Sequence, residues 1–417
     1  MQALTGFRDF LPNDCAARNY IFAQWREVSR RYGFVEYDGP VLEELELFTR
    51  KSGEEIVKQL YNFTDKGGRA VALRPEMTPT LARIVAATQR DFRKPIKWFC
   101  IPQMFRYERP QRGRLREHYQ YNCDIIGEAS LEADTELIAV CIDVLRSFGL
   151  TAEDVVIRIS DREFWIDFLR ALNVPEAQWQ PTLEIIDKSE REPREKTAAR
   201  LGDLAEPVLT ILDGGGRSEK LERLVAGLRD RGLADYATVD LRIVRGLAYY
   251  TGVVFEAFDR GGKLRAIAGG GRYDNLIAQL SDGAASLPAV GFAMGDVVLA
   301  ELLREKPSTR ARLDAAVAAE QQLDIYVIVA KEERRAEALR FVQALRDRNV
   351  RVDYPLTATK VGKQFQSAEQ LGASFTLLFG DEWPQVKIKT LATRVEELVR
   401  QDELLAHLDR LMSLPPA

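Results

Sequence analysis

Apolar residues recur at helical spacing near the start of the chain and predict its first elements. Residues 17–32 follow this spacing, which is typical of a helix with one buried face. A second helix is expected after Thr78, a suitable N-cap, because Pro79 is tolerated at the first helical position. Glu76 is therefore expected just ahead of a helix start.

Two β-rich runs follow, at 96–108 and 118–126, on either side of a polar loop that contains Gly113. They predict an antiparallel pair of strands with a long tip. Alternate residues of a strand share a face, so Arg106 and Glu108 are expected to point the same way. The second run presents four polar side chains on one face: His118, Gln120, Asn122 and Asp124.

Helical patterns dominate the middle of the chain, over 131–148 and from about 162 to 235, with a break at 213–219. The second stretch predicts a helical insertion. Strand patterns return at 240–259 and, after the turn RGGK, at 264–276, as another antiparallel pair. The segment AVGFAMGDVVLAELLREK then passes from a small-residue strand into a helix.

The pattern changes after residues 306–322, which lack a clear buried face and are predicted to be a linker. Beyond them strands alternate with helices, and the helices are predicted at 332–347, 361–371 and 395–409. This alternation is typical of a small α/β domain whose first three strands are parallel.

Composition narrows the class of protein. A chain of 417 residues fits two or three domains, and 59 basic against 63 acidic residues argue against a protein that coats nucleic acid generally. Any anionic partner must then be bound by a local patch. The four cysteines form no CxxC pair and there are only two histidines, so no metal site is expected. Without a signal peptide or a long apolar run, the chain is predicted to be cytoplasmic and not membrane-bound.

One such local patch is the stretch FRYERPQRGRLREHYQ, residues 105–120, which holds five arginines and two glutamates. One interpretation is the solvated outer face of an antiparallel sheet. The other is a phosphate-binding site, because the guanidinium group holds phosphate in a bidentate fork and its charge is effectively permanent. The excess of arginine over acid favours the phosphate site.

Two further motifs allow a structural or a functional interpretation. Arg245 is followed by Tyr249 and Tyr250, either as an arginine at a strand end with core tyrosines or as part of a ligand site. The glycines at 269–271 permit close approach of a ligand to the backbone, although a turn is their commoner use. No GxxxxGK[ST] motif occurs, so arginines would hold any phosphates bound here.

Taken in order, these motifs resemble histidyl-tRNA synthetases, which are class II aminoacyl-tRNA synthetases. The segments that carry the resemblance are TGFRDFLP, LRPEMTPTLAR, FRYERPQRGRLREHYQYNCDIIG, RGLAYYTGVVFEA, AGGGRYDNL and AVGFAMG. The C-terminal stretch from LDIYVIVA to FTLLFG looks like the anticodon-binding domain of that family. The resemblance covers nearly the whole chain.

The resemblance implies an α+β fold with an antiparallel six-stranded catalytic sheet, a helical insertion, a C-terminal α/β anticodon-binding-like domain, and a homodimer. The implied domains are a catalytic domain at 1–160 and 237–305, the insertion at 161–236, the linker at 306–322 and the α/β domain at 323–417. The implied reaction uses ATP and Mg²⁺ to convert histidine to histidyl-adenylate and then charges the 3′ end of tRNA-His.

The resemblance also implies roles for individual residues. Arg106 and Arg245 would be catalytic, with both guanidinium groups on the α-phosphate, so that no side-chain base is needed. The residues implied to bind histidine are Glu76, Thr78, Gln120, Asp124, Tyr249, Tyr250 and Tyr273. The residues implied to bind ATP are Arg106, Glu108, Arg114 and Arg245, and those at the tRNA acceptor end are Arg109, Gln111 and Arg112.

The chain departs from the family at two positions. Gly295-Asp296-Val297-Val298 stands where the family typically has Gly-Leu-Glu-Arg, and Ala248 stands where many members have aspartate. Loss of an arginine that packs on ATP would ordinarily cost on the order of 10²-fold in rate. Two alternatives to a synthetase therefore stay open: a histidine-sensing paralogue like the regulatory subunit of ATP phosphoribosyltransferase, and an activator that charges something other than tRNA.

Overall fold

The computed structural model describes residues 2–50, 59–245 and 249–412. These residues form two compact units that divide between Leu313 and Asp314. Ala248, one of the departures noted above, lies outside the described residues. Within them, none of the helices is both long enough and apolar enough to cross a bilayer.

The first unit contains twelve strands. They are β1 (Val35–Glu36), β2 (Leu42–Glu44), β3 (Asn62–Thr64), β4 (Ala70–Leu73), β5 (Ile96–Cys100), β6 (Gln103–Phe105), β7 (Glu117–Ile126), β8 (Val155–Asp161), β9 (Ala237–Val239), β10 (Val253–Asp259), β11 (Ala268–Arg272) and β12 (Ala289–Gly295). This count covers the described part of the unit.

Helices surround these strands. Those that begin in the first unit are α1 (Pro12–Arg31), α2 (Leu45–Thr49), α3 (Thr78–Thr88), α4 (Leu131–Ser147), α5 (Arg162–Ala171), α6 (Trp179–Lys188), α7 (Arg194–Leu201), α8 (Ala205–Thr210), α9 (Glu219–Asp230), α10 (Leu276–Leu280), α11 (Asp296–Glu305) and α12 (Pro307–Gln321). Helices α5 to α9 form the predicted helical insertion.

The large sheet has the order β1-β5-β7-β12-β11-β10-β8-β9, and β6 also pairs with β7. Its six central strands, in the order β5-β7-β12-β11-β10-β8, all pair antiparallel with their neighbours, as predicted. Strands β1 and β9 widen it at the two edges in parallel pairs. A separate small antiparallel sheet has the order β2-β4-β3.

Strand β7 follows the alternation that its sequence predicts. Tyr121, Cys123 and Ile125 are buried on the core side of the sheet, where the Tyr121 ring stacks on Trp25 of α1 with centroids 5.5 Å apart. The opposite face of the strand carries Gln120 and the other polar side chains. One face of β7 therefore packs in the core, and the other face is available to form a binding site.

Three predictions for the first unit need correction. Thr78 is the first residue of α3 rather than its N-cap, a position held by Met77. Arg106 and Glu108 follow the end of β6 instead of lying within a strand. The strand predicted at 240–259 is confirmed only from Val253, because the earlier residues form a turn and irregular backbone in the described part.

The second unit is an α/β domain. Its strands are β13 (Ile325–Val329), β14 (Val352–Asp353), β15 (Phe375–Phe379), β16 (Gln385–Thr390) and β17 (Glu396–Arg400), and its helices are α13 (Arg335–Arg346), α14 (Val361–Gln370) and α15 (Leu404–Met412). Strands β14, β13 and β15 are parallel, as predicted. Strand β16 pairs antiparallel with β15, and β17 pairs antiparallel with β16.

Two segments of the C-terminal region differ from the sequence prediction. The helix predicted at 395–409 is replaced by β17 followed by α15, because Val399 is buried as part of the sheet beside β16. The segment predicted as a linker contains the helix α12.

Candidate active site

The floor of the site is formed by neighbouring residues of β7, β12 and β11. Asp124 pairs with Gly291, and Asn122 pairs with Ala293, which pairs with Gly269. The polar side chains thus come from β7, while its neighbours contribute glycine and alanine. The pocket above this floor is lined by Glu76, Thr78, Arg106, Gln120, Asn122, Asp124, Arg245, Tyr249, Tyr250, Gly269, Tyr273, Gly291, Phe292 and Ala293.

The glycines are required because functional side chains lie directly on their backbone. A β-carbon on Gly291 would lie 1.9 Å from Asp124 Oδ1, and one on Gly269 would lie 2.4 Å from Arg245 Nη1. A β-carbon at either position would force Asp124 or Arg245 to move. The motif therefore serves close approach across the sheet rather than a turn.

We expect Gly291→Ala to displace Asp124 and to destabilise the protein by about 1–3 kcal/mol, the usual effect of overpacking. The Michaelis constant for histidine, the substrate that the resemblance implies, should rise at least about tenfold if Asp124 binds it. Thermal unfolding and steady-state kinetics would measure both effects. Gly295→Ala in the same strand is the matched control, because nothing lies within 4 Å of its β-carbon position. A normal KM for histidine in Gly291→Ala would contradict the expectation.

One end of the pocket is a buried carboxylate bordered by tyrosines. Tyr273 donates a hydrogen bond of 2.5 Å to Asp124 Oδ1. Burial raises the pKa of Asp124 to about 7, although the Tyr273 hydrogen bond opposes this shift. The ring of Tyr249 lies edge-on to Tyr273, with centroids 6.0 Å apart. In its ionised form, Asp124 is an acceptor suited to the N–H of an imidazole.

The raised pKa of Asp124 predicts a specific dependence of stability on pH. The folded Asp124 carboxyl holds its proton up to about pH 7. The protonated carboxyl therefore contributes fully to stability below the pKa of Asp124 in the unfolded chain, near 4, and this contribution is lost as the pH rises through about 7. The uncharged Asp124→Asn variant lacks this loss. Its thermal midpoint, relative to the unsubstituted protein, should therefore be higher by a few degrees at pH 8 than at pH 5. Equal differences at the two values would contradict the assignment.

A second carboxylate stands at the start of α3. Glu76 is buried and its Oε2 accepts a hydrogen bond of 3.5 Å from the Tyr249 hydroxyl. Burial raises the pKa of Glu76, while the charge of Arg106 and the Tyr249 hydrogen bond lower it. A carboxylate in this position can bind an ammonium group. Thr78, two residues further on, borders the same pocket.

Two arginines from distant parts of the chain line the pocket. Arg106 donates from Nε to the carbonyl oxygen of Pro75 at 2.9 Å, and its backbone N–H donates to the Arg116 carbonyl at 2.9 Å. Arg245 forms an ion pair with Glu256, and its guanidinium lies 5.7 Å from the ring centroid of Tyr250. These contacts hold both cations beside the glycine floor.

The backbone at Arg245 is in the left-handed region, with φ of 58°, which a residue with a side chain adopts only at a cost. Its Nε is buried and has no hydrogen-bond partner among the described residues. A strained backbone and an unused buried donor are both typical of a ligand-binding position.

The arginine-rich loop follows β6 and borders the pocket through Arg106. Buried Glu108 forms an ion pair with Arg114, which brings two of the predicted ATP-binding residues together. Arg112 pairs with Glu301 and Glu305 of α11. Arg109, Gln111 and Arg112 are exposed and do not line the pocket.

The start of α11 is occupied by interactions within the protein. Asp296 accepts hydrogen bonds from the Tyr119 N–H at 3.0 Å and from Arg8 at 2.9 Å. Burial raises the pKa of Asp296 to about 6, opposed by the charge of Arg8. Val298 is buried. Helix α11 therefore offers the site no cation at the position where the resemblance implies an arginine.

The pocket thus brings together nine of the residues predicted from the sequence: Glu76, Thr78, Arg106, Gln120, Asp124, Arg245, Tyr249, Tyr250 and Tyr273. Sequence reasoning missed Glu256, the partner of Arg245, and Arg8, the partner of Asp296. Glu256 could have been found from strand alternation, since it lies opposite Gly269 in the sheet. Arg8 belongs to the motif TGFRDFLP, but the sequence offers no signal for its partner.

Two family models match the chain. The model described as Histidyl-tRNA synthetase matches residues 6–214 and 192–299, and the model described as Anticodon binding domain matches residues 324–411. The first match extends over every residue that lines the pocket.

Similar proteins match along the full length. The histidine–tRNA ligase of Opitutus terrae is 45% identical, over 97% of this chain and 97% of that protein. The chloroplastic/mitochondrial histidine–tRNA ligase of Arabidopsis thaliana is 40% identical, over 96% of this chain and 85% of that protein. A crystal structure of histidyl-tRNA synthetase from Nostoc sp. has the same fold, with a TM-score of 0.77, 23% identity and coverage of 98% of this chain and 99% of the other.

Proposed function

The chain belongs to the histidyl-tRNA synthetase family, and from this premise we propose how its pocket carries out the reaction. The protein is a histidine–tRNA ligase. In the first step histidine and ATP form histidyl-adenylate and pyrophosphate, and in the second the histidyl group passes to the 3′ end of tRNA-His. ATP enters as its Mg²⁺ complex, which is a substrate rather than a resident cofactor.

One observation carries the proposal: two arginines and two buried carboxylates converge in one pocket over a glycine floor. The carboxylates suit the two cationic or N–H-bearing ends of histidine. Glu76 would bind the α-ammonium group, with Thr78 and Gln120 beside it, and Asp124 would accept the imidazole N–H. Tyr249, Tyr250 and Tyr273 would enclose the ring.

The arginines suit the reacting phosphate. A carboxylate oxygen of histidine attacks the α-phosphorus, the bond to the bridging oxygen breaks, and its electron pair leaves with pyrophosphate. Arg106 and Arg245 would stabilise the negative charge that develops on the α-phosphate. Because contacts with the protein itself fix both groups, little reorganisation would accompany the reaction.

The remaining predicted residues are proposed for ATP and tRNA. Glu108 and Arg114, joined as an ion pair, would contact ATP. The exposed positions Arg109, Gln111 and Arg112 would meet the acceptor end of the tRNA, where arginine binds backbone phosphates. The second compact unit would bind the anticodon region, as its family match suggests.

A homodimer in the cytoplasm is also proposed. The resemblance to the family supports both statements. Size-exclusion chromatography with light scattering would measure the number of chains in the particle.

The regulatory alternative has less support. Relatives 45% and 40% identical over most of the chain are named histidine–tRNA ligases, and residues 324–411 match an anticodon-binding domain. Charging of a tRNA-His transcript with labelled histidine separates the alternatives. The proposed function predicts histidine ester at the 3′ end of this tRNA. Adenylate formation without any charging of tRNA would favour an activator with another acceptor.

A further inference from the structure

Arg265 lies in the connection between β10 and β11. Asp259 fixes this connection, because its carboxylate accepts the backbone N–H groups of Lys263 and Leu264 at 3.2 and 3.0 Å. The ladder to β10 continues past the start of β11, since the Ile267 N–H donates to the Ala257 carbonyl at 2.8 Å. The backbone that carries Arg265 is thus part of the sheet's framework.

Arg265 lies three residues before β11, the strand that carries Gly269, over which the guanidinium of Arg245 lies. The start of β11 pairs with the end of β12, and α11 begins directly after β12. The β10–β11 connection and the start of α11 therefore lie at the same end of the sheet.

Contacts at Gly113 connect Arg265 with the tip of the arginine-rich loop. A β-carbon on Gly113 would lie 3.3 Å from Val298 Cγ2 and 3.8 Å from Arg265 Cδ. The side chain of Arg265 therefore extends under the loop tip, beside Val298. This is the position from which α11 supplies no cation.

The charges around the loop distinguish Arg265 from its neighbours. Arg114 is paired with Glu108, Arg112 with two glutamates of α11, and Arg8 with Glu117 and Asp296. Arg265 is exposed and forms no ion pair with any carboxylate in the described ranges 2–50, 59–245 and 249–412. Its charge is therefore available to an anionic ligand in the site.

We propose that Arg265 binds the β- and γ-phosphates of ATP, so that the β10–β11 connection provides the guanidinium that α11 lacks. This inference rests on the proposed adenylate chemistry. When the α-phosphorus bond breaks, the electron pair stays on pyrophosphate, and Arg265 stabilises that charge while keeping its own proton. The same contact binds pyrophosphate in the reverse reaction.

The test is histidine-dependent ATP–pyrophosphate exchange in Arg265→Ala and Arg265→Lys. We expect Arg265→Ala to raise KM for both ATP and pyrophosphate by about 10- to 100-fold, with KM for histidine unchanged. Arg265→Lys should recover part of the lost affinity, since lysine keeps the positive charge but lacks the bidentate geometry of the guanidinium group. Lys263→Ala, an exposed cation in the same connection, is the matched control and should behave as the unsubstituted protein.

An unchanged KM for pyrophosphate in Arg265→Ala would overturn the proposal, even if KM for ATP rose, because that result would assign Arg265 to the adenosine part. Absence of exchange in the unsubstituted protein would instead contradict the proposed function. Calorimetric titration with MgATP would then decide the role of Arg265 alone: weaker binding to Arg265→Ala supports it, and equal binding overturns it.

Discussion

Replacing Arg245 with alanine is expected to lower the rate of histidyl-adenylate formation by about 10²- to 10³-fold. Arg245 is one of two guanidinium groups proposed to neutralise the α-phosphate, and its buried Nε has no other partner in the described residues. Its side chain is held by the ion pair with Glu256, so we expect the loss to fall on the transition state more than on binding. Single-turnover formation of adenylate, with KM for ATP and histidine, measures this directly.

Two variants separate catalysis from folding. Arg245→Ala also leaves Glu256 without its cation. Glu256→Gln keeps the arginine, so its rate of adenylate formation shows the effect of losing the ion pair alone. Arg242→Ala removes a nearby arginine that contacts the Leu212 carbonyl outside the pocket, and it should retain adenylate formation. If Arg245→Ala forms adenylate as fast as Arg242→Ala, Arg245 has no role in the chemistry.

The second large effect is expected at Asp124. Asp124→Ala should raise KM for histidine by at least about 10²-fold, because a site built to hydrogen-bond a substrate N–H discriminates strongly when that bond is lost. The hydroxyl of Tyr273 would also lose its acceptor in the protein interior. Histidine titration by calorimetry, beside steady-state kinetics, would measure the change.

Tyr273→Phe is the control for this prediction. It removes the partner of Asp124 but keeps the carboxylate, so histidine binding should weaken by no more than about tenfold. Similar losses in the two variants would mean that the tyrosine, rather than the carboxylate, holds the imidazole. Unchanged histidine affinity in Asp124→Ala would remove Asp124 from the binding site.

The polar face of β7 could be predicted from the sequence because strand alternation is local information. Gln120 and Asp124 lie on one face and Tyr121 on the other, as the spacing requires. The six central antiparallel strands and the helical insertion were likewise predictable in kind. Roles for individual residues came from the resemblance rather than from periodicity.

Other features depend on contacts between distant parts of the chain. The stretch before Val253 has β-rich composition, yet Arg245 adopts a left-handed backbone there to bring its side chain over Gly269. The stretch 396–400 looks helical by spacing and is a strand because β16 offers a partner. Arg265 and Val298 both lie beside Gly113 at the loop tip. No local sequence pattern predicts this contact between distant segments.

The altered segment Gly295-Asp296-Val297-Val298 has a structural consequence. Asp296 does not replace a missing cation, because it binds Arg8 and the Tyr119 backbone. The helix that would carry the family's arginine instead anchors the loop, through Glu301 to the Gly113 N–H at 3.1 Å and to Arg112. The phosphates would therefore be bound by Arg106, Arg245 and Arg265 rather than by α11.

ATP–pyrophosphate exchange by the purified protein, measured with each amino acid in turn, tests adenylate formation in this pocket. We expect exchange with histidine and none with the others, and we expect the exchange to be lost in Arg245→Ala. Binding of histidine without any exchange would contradict adenylate formation in this pocket and would favour a histidine-sensing regulatory protein.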